Sequence, residues 1–178
     1  MILGIDPGFA SCGYSLLEIE GGNPLFVSAG VVRTKKTHLK IPSYDDNVQR
    51  TQDIYQQLKS QGSKAWLFAV EAESWTRMPS DKLLGLARGA IYGLALELAA
   101  GLEQYGPKQI KREFIGSASA SKQSLEDELI SLHPELVALL EQLPKTQRAH
   151  AADAAACALM AYRKSNYVRT ILRRRHSN

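Results

Sequence analysis

Acidic and imidazole side chains stand at the ends of three segments that are otherwise apolar. Asp6 follows the run ILGI and precedes a Pro-Gly pair, and Glu71 follows the run WLFAV. His150 and Asp153 lie three residues apart at the start of an Ala-rich segment, so they share one face of a helix. Burying such groups is costly unless a cation or a hydrogen-bond donor accompanies them. The four residues are therefore candidates for one shared site.

Carboxylates that lie close together repel one another unless a cation neutralises them. Hard oxygen ligands suit Mg²⁺ or Mn²⁺, and histidine tolerates Mn²⁺ as well. Two such ions about 3.5–4 Å apart clamp the attacking and leaving oxygens of a phosphodiester. The alternative is structural, since Asp-Pro-Gly is ordinary turn sequence and a histidine at a helix start is often a hydrogen-bonding residue. The spacing by itself leaves both interpretations of Asp6 and His150 open.

Strands are predicted before the first two of these acidic residues. Apolar runs and alternation predict strands over residues 2–6, 13–19 and 25–33, with the turn sequence GGNP between the last two. A continuous apolar run that ends at Glu71 predicts a further strand, covered on both faces. Glu73, two residues further on, would point to the same side of this strand as Glu71.

Five segments have the periodicity or composition of helices. They are residues 43–61 with a Ser43 or Asp45 cap, 81–102, 107–116, 121–133 with a Ser121 cap, and 150–164. A short strand is expected to end near Tyr105. Three strands followed by alternating helices and strands predict an α/β fold in which helices cover a mixed sheet.

The segment DKLLGLARGAIYGLALELAAGL is so rich in apolar residues that its helix is expected to be buried nearly all round. Burial in the protein's own core explains most of this composition. A contact with a second subunit through the same helix explains the excess. The sequence alone supports both interpretations.

The composition is that of a globular domain. A chain of 178 residues can form one domain with a sizeable core, and 44% hydrophobic and 22% charged residues are ordinary values. No apolar run approaches the roughly 18 residues of a membrane span, and no basic stretch precedes the short apolar N-terminus. The two cysteines, Cys12 and Cys157, lack metal-ligand spacing and indicate reduced thiols. We therefore expect a cytoplasmic protein without a signal peptide.

The excess positive charge lies at the C-terminus. Six of the 22 Lys and Arg residues occur in residues 163–178, which contain no Asp or Glu, so 16 basic residues face 18 acidic ones in the rest of the chain. Such a tail favours phosphate-rich partners. A solvated, partly disordered end explains the same composition.

Five motifs occur in order over residues 1–162. They are ILGIDPGFASCGYS, FAVEAES, LLGLARGAIYGLAL, QIKREFIGSASASK and HAADAAACALM. Together they resemble the RuvC family of Holliday-junction resolvases, which have the ribonuclease-H-like fold. The resemblance implies an α/β fold with a mixed five-stranded sheet flanked by helices. It also implies a nuclease domain over 1–162. The basic C-terminal tail over 163–178 lies beyond the matched region, and in this setting it looks like an extra contact with the DNA backbone.

The resemblance assigns site residues one by one. The family's first metal-binding aspartate falls on Asp6, and its strand-end glutamate falls on Glu71 rather than Glu73. Its last-helix pair falls on His150 and Asp153. Many family members have an aspartate in place of this histidine, while others have histidine, so the difference is a known variant.

Further features of the family match less completely. Lys122 matches a lysine near the family's active site, where it would position the phosphate or stabilise developing charge; a solvated lysine is the alternative. The helix over 80–102 matches the one through which family members form a two-fold dimer. Family members often place a base-stacking aromatic residue three positions after the glutamate. This chain has Ser74 there and Trp75 next to it, so the stacking role of Trp75 is left open.

The resemblance implies a metal-dependent endonuclease that resolves four-way DNA junctions by paired symmetric nicks. Two Mg²⁺ ions, which Mn²⁺ can replace, would be held by Asp6, Glu71 and Asp153, with His150 as a ligand or as general base for the attacking water. An imidazole base predicts activity that falls as the pH drops through about 6.5. Seven basic residues could contact phosphates and are equally explained as surface charge: Arg33, Lys35, Lys36, Lys40, Lys108, Lys111 and Arg112.

The expected partners are four-way junction DNA, a second copy of the chain and a branch-migration helicase, with no membrane. A YqgF-like RNA-processing nuclease is one alternative, since it would share the fold and the metal chemistry but act on RNA. A non-catalytic junction-binding protein is another, although it would not need to concentrate negative charge where phosphates dock. An ATPase of the sugar-kinase and actin type also opens with a strand and an aspartate, but those chains are usually far longer.

Overall fold

One mixed sheet forms the centre of the protein. The computed structural model describes residues 1–37, 42–72 and 80–176. The strands in this part are β1 (Ile2–Asp6), β2 (Ser11–Glu20), β3 (Asn23–Arg33), β4 (Leu67–Glu71) and β5 (Gly101–Tyr105), in the spatial order β3-β2-β1-β4-β5. The β1–β2 and β2–β3 pairs are antiparallel, whereas the β1–β4 and β4–β5 pairs are parallel. All the predicted strands are present, and β2 and β3 each begin two residues earlier than expected.

Helices cover both faces of this sheet. In the described ranges they are α1 (Ser43–Gly62), α2 (Ser80–Glu97), α3 (Pro107–Ile115), α4 (Lys122–Leu132), α5 (Glu135–Glu141), α6 (Lys145–Lys164) and α7 (Asn166–His176). The predicted cap of α4 is confirmed, since Ser121 Oγ accepts from the backbone N–H of Ser124 at 2.9 Å. The predicted side-chain cap of α1 is wrong, because Pro42 stands at that position. No helix in this part of the chain is long and apolar enough to cross a membrane.

The helix predicted over 81–102 is shorter than expected. It ends at Glu97, after which Ala99 turns with φ 48° and Gly101 begins β5. Burial nearly all round is also wrong, because Leu86 and Leu96 are 40% and 82% exposed. Within the described residues, α1 and β5 pack against α2, and its buried residues include Ala87, Ile91 and Leu94. A strip of its apolar surface is therefore left uncovered.

Alternation along the central strands divides the core into two layers. In β1, Leu3 and Ile5 belong to the cluster that includes α1 and α2, whereas Ile2 belongs to the cluster that includes α6. The residues of β4 alternate between the two clusters in the same way. Because side chains alternate with period two, Asp6 and Glu71 at the strand ends lie on the α6 side of the sheet.

The backbone of α6 lies directly against the sheet. A Cβ atom on Gly4 would lie 2.0 Å from the carbonyl oxygen of Ala154, and a Cβ atom on Gly13 would lie 2.1 Å from that of His150. Every residue from 151 to 161 is buried, and most of them are alanines. Glycines on the strands and alanines on the helix therefore permit a close approach, which sets the position of His150 and Asp153 above the strand ends.

Candidate active site

Four segments that are distant in sequence meet at one edge of the sheet. The parallel strands β1 and β4 pair Ile5 with Val70, so the next residue of each strand, Asp6 or Glu71, lies at the end of neighbouring strands. The first half of α6 passes over these ends, and α4 begins beside them. We call the resulting group the acidic cluster; it consists of Asp6, Glu71, Lys122, His150 and Asp153. All five residues predicted from the sequence are brought together.

The first contact in the acidic cluster joins β1 to α6. Nδ1 of His150 lies 2.7 Å from Oδ2 of Asp6. The hydrogen bond to Asp6 raises the pKa of His150, and it outweighs the opposing effects of partial burial and of the positive charge on Lys122. An ionised carboxylate only accepts hydrogen bonds, so Nδ1 carries the proton. In the neutral ring, Nε2 is then the nitrogen that can accept a proton.

The second contact joins α4 to α6. Nζ of Lys122 donates to Oδ2 of Asp153 at 2.5 Å, with side chains that are 65% and 10% exposed respectively. Burial and the negative charge of Asp6 raise the pKa of Asp153, although Lys122 acts in the opposite direction. Burial also lowers the pKa of Lys122, but the bond to Asp153 outweighs it and the net direction is upward. A charged ammonium therefore lies between a buried carboxylate and solvent.

Glu71 shows the electrostatic cost of this arrangement. Burial, together with the negative charges of Asp6 and Asp153, raises the pKa of Glu71 from 4.5 to about 7. The positive charges of Lys122 and Arg88 offset only part of this rise. The neighbouring positive charges are therefore too few to stabilise all of these carboxylates in their ionised form. The acidic cluster therefore favours the binding of an additional cation.

Arg88 supports the cluster, and the sequence interpretation did not single it out. The residue is 7% exposed, and its Nη2 donates to the backbone carbonyl oxygen of Glu71 at 2.8 Å. Its Nη1 donates to Tyr92 Oη at 3.2 Å. The end of β4 is thereby tied to α2. A single arginine inside the most apolar predicted helix was the available signal, because a buried guanidinium needs acceptors.

A small cavity adjoins the acidic cluster. It has a volume of about 70 Å³, and its walls include Glu71, Lys122, Asp153 and Lys111. Nζ of Lys111 donates to the backbone carbonyl oxygen of Ala120 at 2.5 Å, which links α3 to the segment before α4. Carboxylates and ammonium groups thus face the same space. A phosphate could enter it only with the carboxylate charge neutralised.

The chemistry of the cluster fits a hard divalent cation. Its carboxylates are the oxygen donors that Mg²⁺ and Mn²⁺ prefer. Within residues 1–37, 42–72 and 80–176, no three His, Cys, Asp or Glu side chains form a ready-made metal site. One oxygen of Asp6 accepts from His150 and one oxygen of Asp153 accepts from Lys122. Ligation would therefore use the other oxygens or would displace these two donors.

Three sequence predictions concern residues outside the described part of the chain. They are a contribution of Glu73 to the site, base stacking by Trp75, and a phosphate contact by Lys40. These three remain predictions. Among the other basic residues proposed for phosphate contacts, Lys111 lines the cavity beside the acidic cluster.

The strand order and the acidic strand ends define the fold class as ribonuclease-H-like, and solved structures agree. Thermus thermophilus RuvC is 25% identical with a TM-score of 0.67, and the match covers 95% of each chain. The structure of T. thermophilus RuvC in complex with Holliday junction substrate gives 24% identity and a TM-score of 0.69, covering 95% of this chain and 94% of that one. The predicted fold is confirmed.

Sequence relatives identify the family. The model for crossover junction endodeoxyribonuclease RuvC matches residues 2–161. The protein of that name from Heliobacterium modesticaldum is 32% identical over 162 residues, which cover 89% of this chain and 91% of the relative. The one from Tolumonas auensis is 30% identical over 160 residues, covering 89% and 84%. The chain belongs to the RuvC family, whose description gives the same enzyme class that was predicted from the sequence.

Proposed function

We propose that this protein resolves four-way DNA junctions by paired symmetric nicks, as a metal-dependent endonuclease. The observation that carries the proposal is the convergence of the acidic cluster, in which Asp6 contacts His150 across 144 positions of sequence and Lys122 contacts Asp153. Family membership supports the same reaction, and the related Thermus protein is described in complex with a Holliday junction substrate.

Mg²⁺ is the proposed cofactor, with Mn²⁺ able to replace it. Asp6, Glu71 and Asp153 would hold the metal in a two-ion site. When bound, such ions polarise the phosphodiester and lower the pKa of the attacking water. Their positive charge would also relieve the repulsion that raises the pKa of Glu71.

His150 and Lys122 have complementary proposed roles. Asp6 holds the His150 ring through Nδ1, which orients it and leaves Nε2 to accept a proton from the attacking water. Lys122 is anchored on Asp153 while most of its side chain is exposed, so it would position the phosphate and offset its developing negative charge. One side chain removes a proton and the other stabilises an anion.

A second copy of the chain is the proposed partner of α2. Gly85, Gly89 and Gly93 lie one turn apart on this helix, and a Cβ atom on any of them would meet nothing within 4 Å. Leu96 lies on the same side of α2 and is 82% exposed, and Tyr44 on the neighbouring α1 is 68% exposed. A four-way junction has near two-fold symmetry, so a two-fold dimer would place two identical sites on two strands.

Cleavage of a synthetic four-way junction tests the catalytic proposal. The wild type, Asp6→Asn and the control Asp127→Asn, which removes an exposed carboxylate on α4, are compared with and without Mg²⁺. We expect symmetric nicks from the wild type and the control, and a loss of at least about 100-fold for Asp6→Asn with junction binding retained. Junction binding without cleavage by any of the three proteins would indicate a non-catalytic binder. Cleavage of structured RNA alone would indicate an RNA-processing nuclease.

The pH profile of His150→Asp tests the proposed base. With an imidazole base, the wild-type rate falls as the pH drops through the raised pKa of His150, whereas a carboxylate at this position moves the fall to lower pH. Identical profiles for the two proteins would contradict the assignment.

Light scattering tests the proposed dimer. We expect the wild type to have the mass of a dimer, and Gly89→Arg to have the mass of a monomer with unchanged circular dichroism, because the new side chain enters open space within one chain. A monomeric wild type at working concentrations would contradict paired cleavage by two copies.

A further inference from the structure

We propose that Lys145 and Arg148 form a binding site for phosphates that lie near the cleaved one on the strand that is cut. The site is a groove of about 390 Å³ between α4 and the first turns of α6, and we call it the flanking groove; it is lined by Gln123, Glu126, Lys145, Arg148 and Ala149. Neither cation was singled out from the sequence. The inference rests on the proposed function, because its ligand is the strand that this function cuts.

The first support is the position of the flanking groove beside the acidic cluster. Gln123 directly follows Lys122 at the start of α4, and Ala149 directly precedes His150 on α6. The small cavity of the acidic cluster lies further along α6, where Asp153 contributes to its walls. The groove and the cavity are therefore neighbouring spaces along one helix, and a strand bound at the cluster can continue into the groove.

The second support is the charge balance of the flanking groove. Lys145 is exposed, and within the described residues neither Lys145 nor Arg148 forms an ion pair. Glu126 is the carboxylate among the lining residues, and the first turn of α6 contains no acidic residue. Two positive charges thus face one negative charge. The groove therefore has an excess of positive charge that an anion can neutralise.

The third support is that the guanidinium group of Arg148 is held in place. Its Nε donates to the backbone carbonyl oxygen of Leu143 at 3.1 Å, and its Nη2 donates to that of Glu141 at 3.4 Å. Both acceptors are neutral, so they orient the side chain without neutralising its charge. The remaining N–H groups of the guanidinium can donate to a phosphate. Because the side chain is already oriented, it loses less conformational entropy when an anion binds.

The spacing along α6 identifies the phosphates that the flanking groove would contact. Arg148 and Lys145 precede Asp153 by five and eight residues, which correspond to about 7.5 and about 12 Å of helix. Along one strand of a duplex the phosphates are spaced by about 3.4 Å, so these distances correspond to about two to four phosphates. The groove would therefore contact the backbone a short distance to one side of the cleaved phosphate.

A nucleic-acid strand fits the flanking groove better than an acidic peptide of a partner protein does. Lys145 and Arg148 lie three residues apart, on the same side of α6, and a strand carries its negative charges at short, regular intervals. The strand is also present whenever the reaction occurs, because it must lie at the acidic cluster to be cut. Contacts with its neighbouring phosphates carry no sequence information, but they fix its position over the cluster.

Binding to junctions with single neutral phosphates tests the inference. The variants Lys145→Gln and Arg148→Gln are compared with the wild type and with Lys64→Gln, which removes an exposed lysine in the turn between α1 and β4. Each protein is titrated, in EDTA, with a normal junction and with junctions that carry one methylphosphonate at successive positions within about six nucleotides of the branch point. The nicks made by the wild type in Mg²⁺ mark the cleaved phosphate. Arg148→Gln loses two hydrogen bonds, so if circular dichroism shows that it does not fold, Lys145→Gln alone decides the test.

We expect each variant to bind the normal junction about fivefold more weakly, and its dependence of log affinity on log salt to decrease by about 0.9 for the lost phosphate contact. At one position, about two to four phosphates from the cleaved one, the methylphosphonate should weaken the wild type by a similar factor and the variant no further. Lys64→Gln should behave as the wild type. Additive losses at every position, non-additivity only at the cleaved phosphate or outside this range, or an equal loss in Lys64→Gln would overturn the inference.

Cleavage by the wild type separates this inference from the proposed function, since the binding measurements need no metal. If both hold, the phosphate that shows non-additive binding lies on the nicked strand, to one side of the nick. A wild type that binds but does not cut, together with non-additive binding at one phosphate near the branch point, would reject the nuclease proposal and keep the flanking groove. A wild type that cuts, together with additive losses at every position, would do the reverse.

Discussion

The two ends of α6 both carry partly buried polar groups, but the groups are balanced differently. At the first end, three carboxylates lie near one lysine and one histidine, and the pKa of Glu71 rises to about 7. At the second end, the carboxylate of Glu103 accepts from the hydroxyl groups of Tyr105 and Ser165, one on each oxygen. Tyr162 Oη adds a 2.6 Å bond to the backbone of Gly22 in the β2–β3 turn. The first end has too little positive charge for its carboxylates, whereas at the second end both oxygens of Glu103 have a hydrogen-bond donor.

This difference distinguishes a reactive site from a structural connection. Fully partnered polar groups stabilise a fold, whereas like charges held together cost stability until a ligand neutralises them. The contacts at the second end fasten the end of α6 to β5 and to the β2–β3 turn.

The largest effect is expected from Gly13→Ala, which changes the distance between α6 and the sheet. The new Cβ atom would lie 2.1 Å from the carbonyl oxygen of His150, so the helix must move. We expect the free energy of unfolding to decrease by about 3 kcal/mol, and cleavage to fall about 100-fold through displacement of the catalytic groups. Urea unfolding and junction cleavage measure the two effects. Gly106→Ala is the control, because nothing lies within 4 Å of its Cβ position; equal behaviour of the two variants would show that the contact is not limiting.

A smaller effect is expected from Glu71→Gln, which removes charge from the unbalanced end. Because the folded state raises the pKa of Glu71 from 4.5 to about 7, stability present below pH 4.5 is lost as the pH rises towards 7. In EDTA at pH 8, the variant should therefore be more stable than the wild type by about 2 kcal/mol. Urea unfolding between pH 4 and pH 8 tests this, with Asp127→Asn as the control. Parallel pH profiles for the wild type and Glu71→Gln would disprove the electrostatic cost.

The smallest effect is expected from Ser165→Ala at the balanced end. This change removes the cap of α7 and one donor to Glu103, so we expect a loss of about 1 kcal/mol and faster amide exchange in α7. Cleavage at saturating DNA should be unchanged. Thr170→Ala removes an exposed hydroxyl of the same helix and serves as the control. A cleavage defect in Ser165→Ala alone would mean that the two ends are coupled more strongly than expected.

The uncovered side of α2 shows where sequence interpretation was incomplete. The apolar composition of residues 81–102 indicated a helix but not where it ends, because Gly101 and Leu102 pair with β4 as part of β5. Composition also could not tell which apolar residues this chain buries itself, since Leu86 and Leu96 are as apolar as their buried neighbours. The docking of α7 was likewise hidden, because a run of arginines conceals the buried Val168.

Local chemistry in the sequence determined much of the candidate site. Alternation with period two directs Asp6 to one face of its strand, and the three-residue spacing places His150 and Asp153 on one face of a helix, because both periods are properties of the local backbone. The resemblance to a known family then selected these residues together with Lys122. None of this required knowledge of distant contacts.

Only the tertiary structure decided which of these groups meet. The parallel pairing of β1 with β4, the contact of Asp6 with His150 and the buried guanidinium of Arg88 behind Glu71 all join segments that are far apart in the chain. Such pairings form when both faces of the sheet are buried and the intervening loops close, which are properties of the whole chain rather than of any short stretch. The sequence thus determined the chemistry available at each strand end, and the fold determined that these ends share one site.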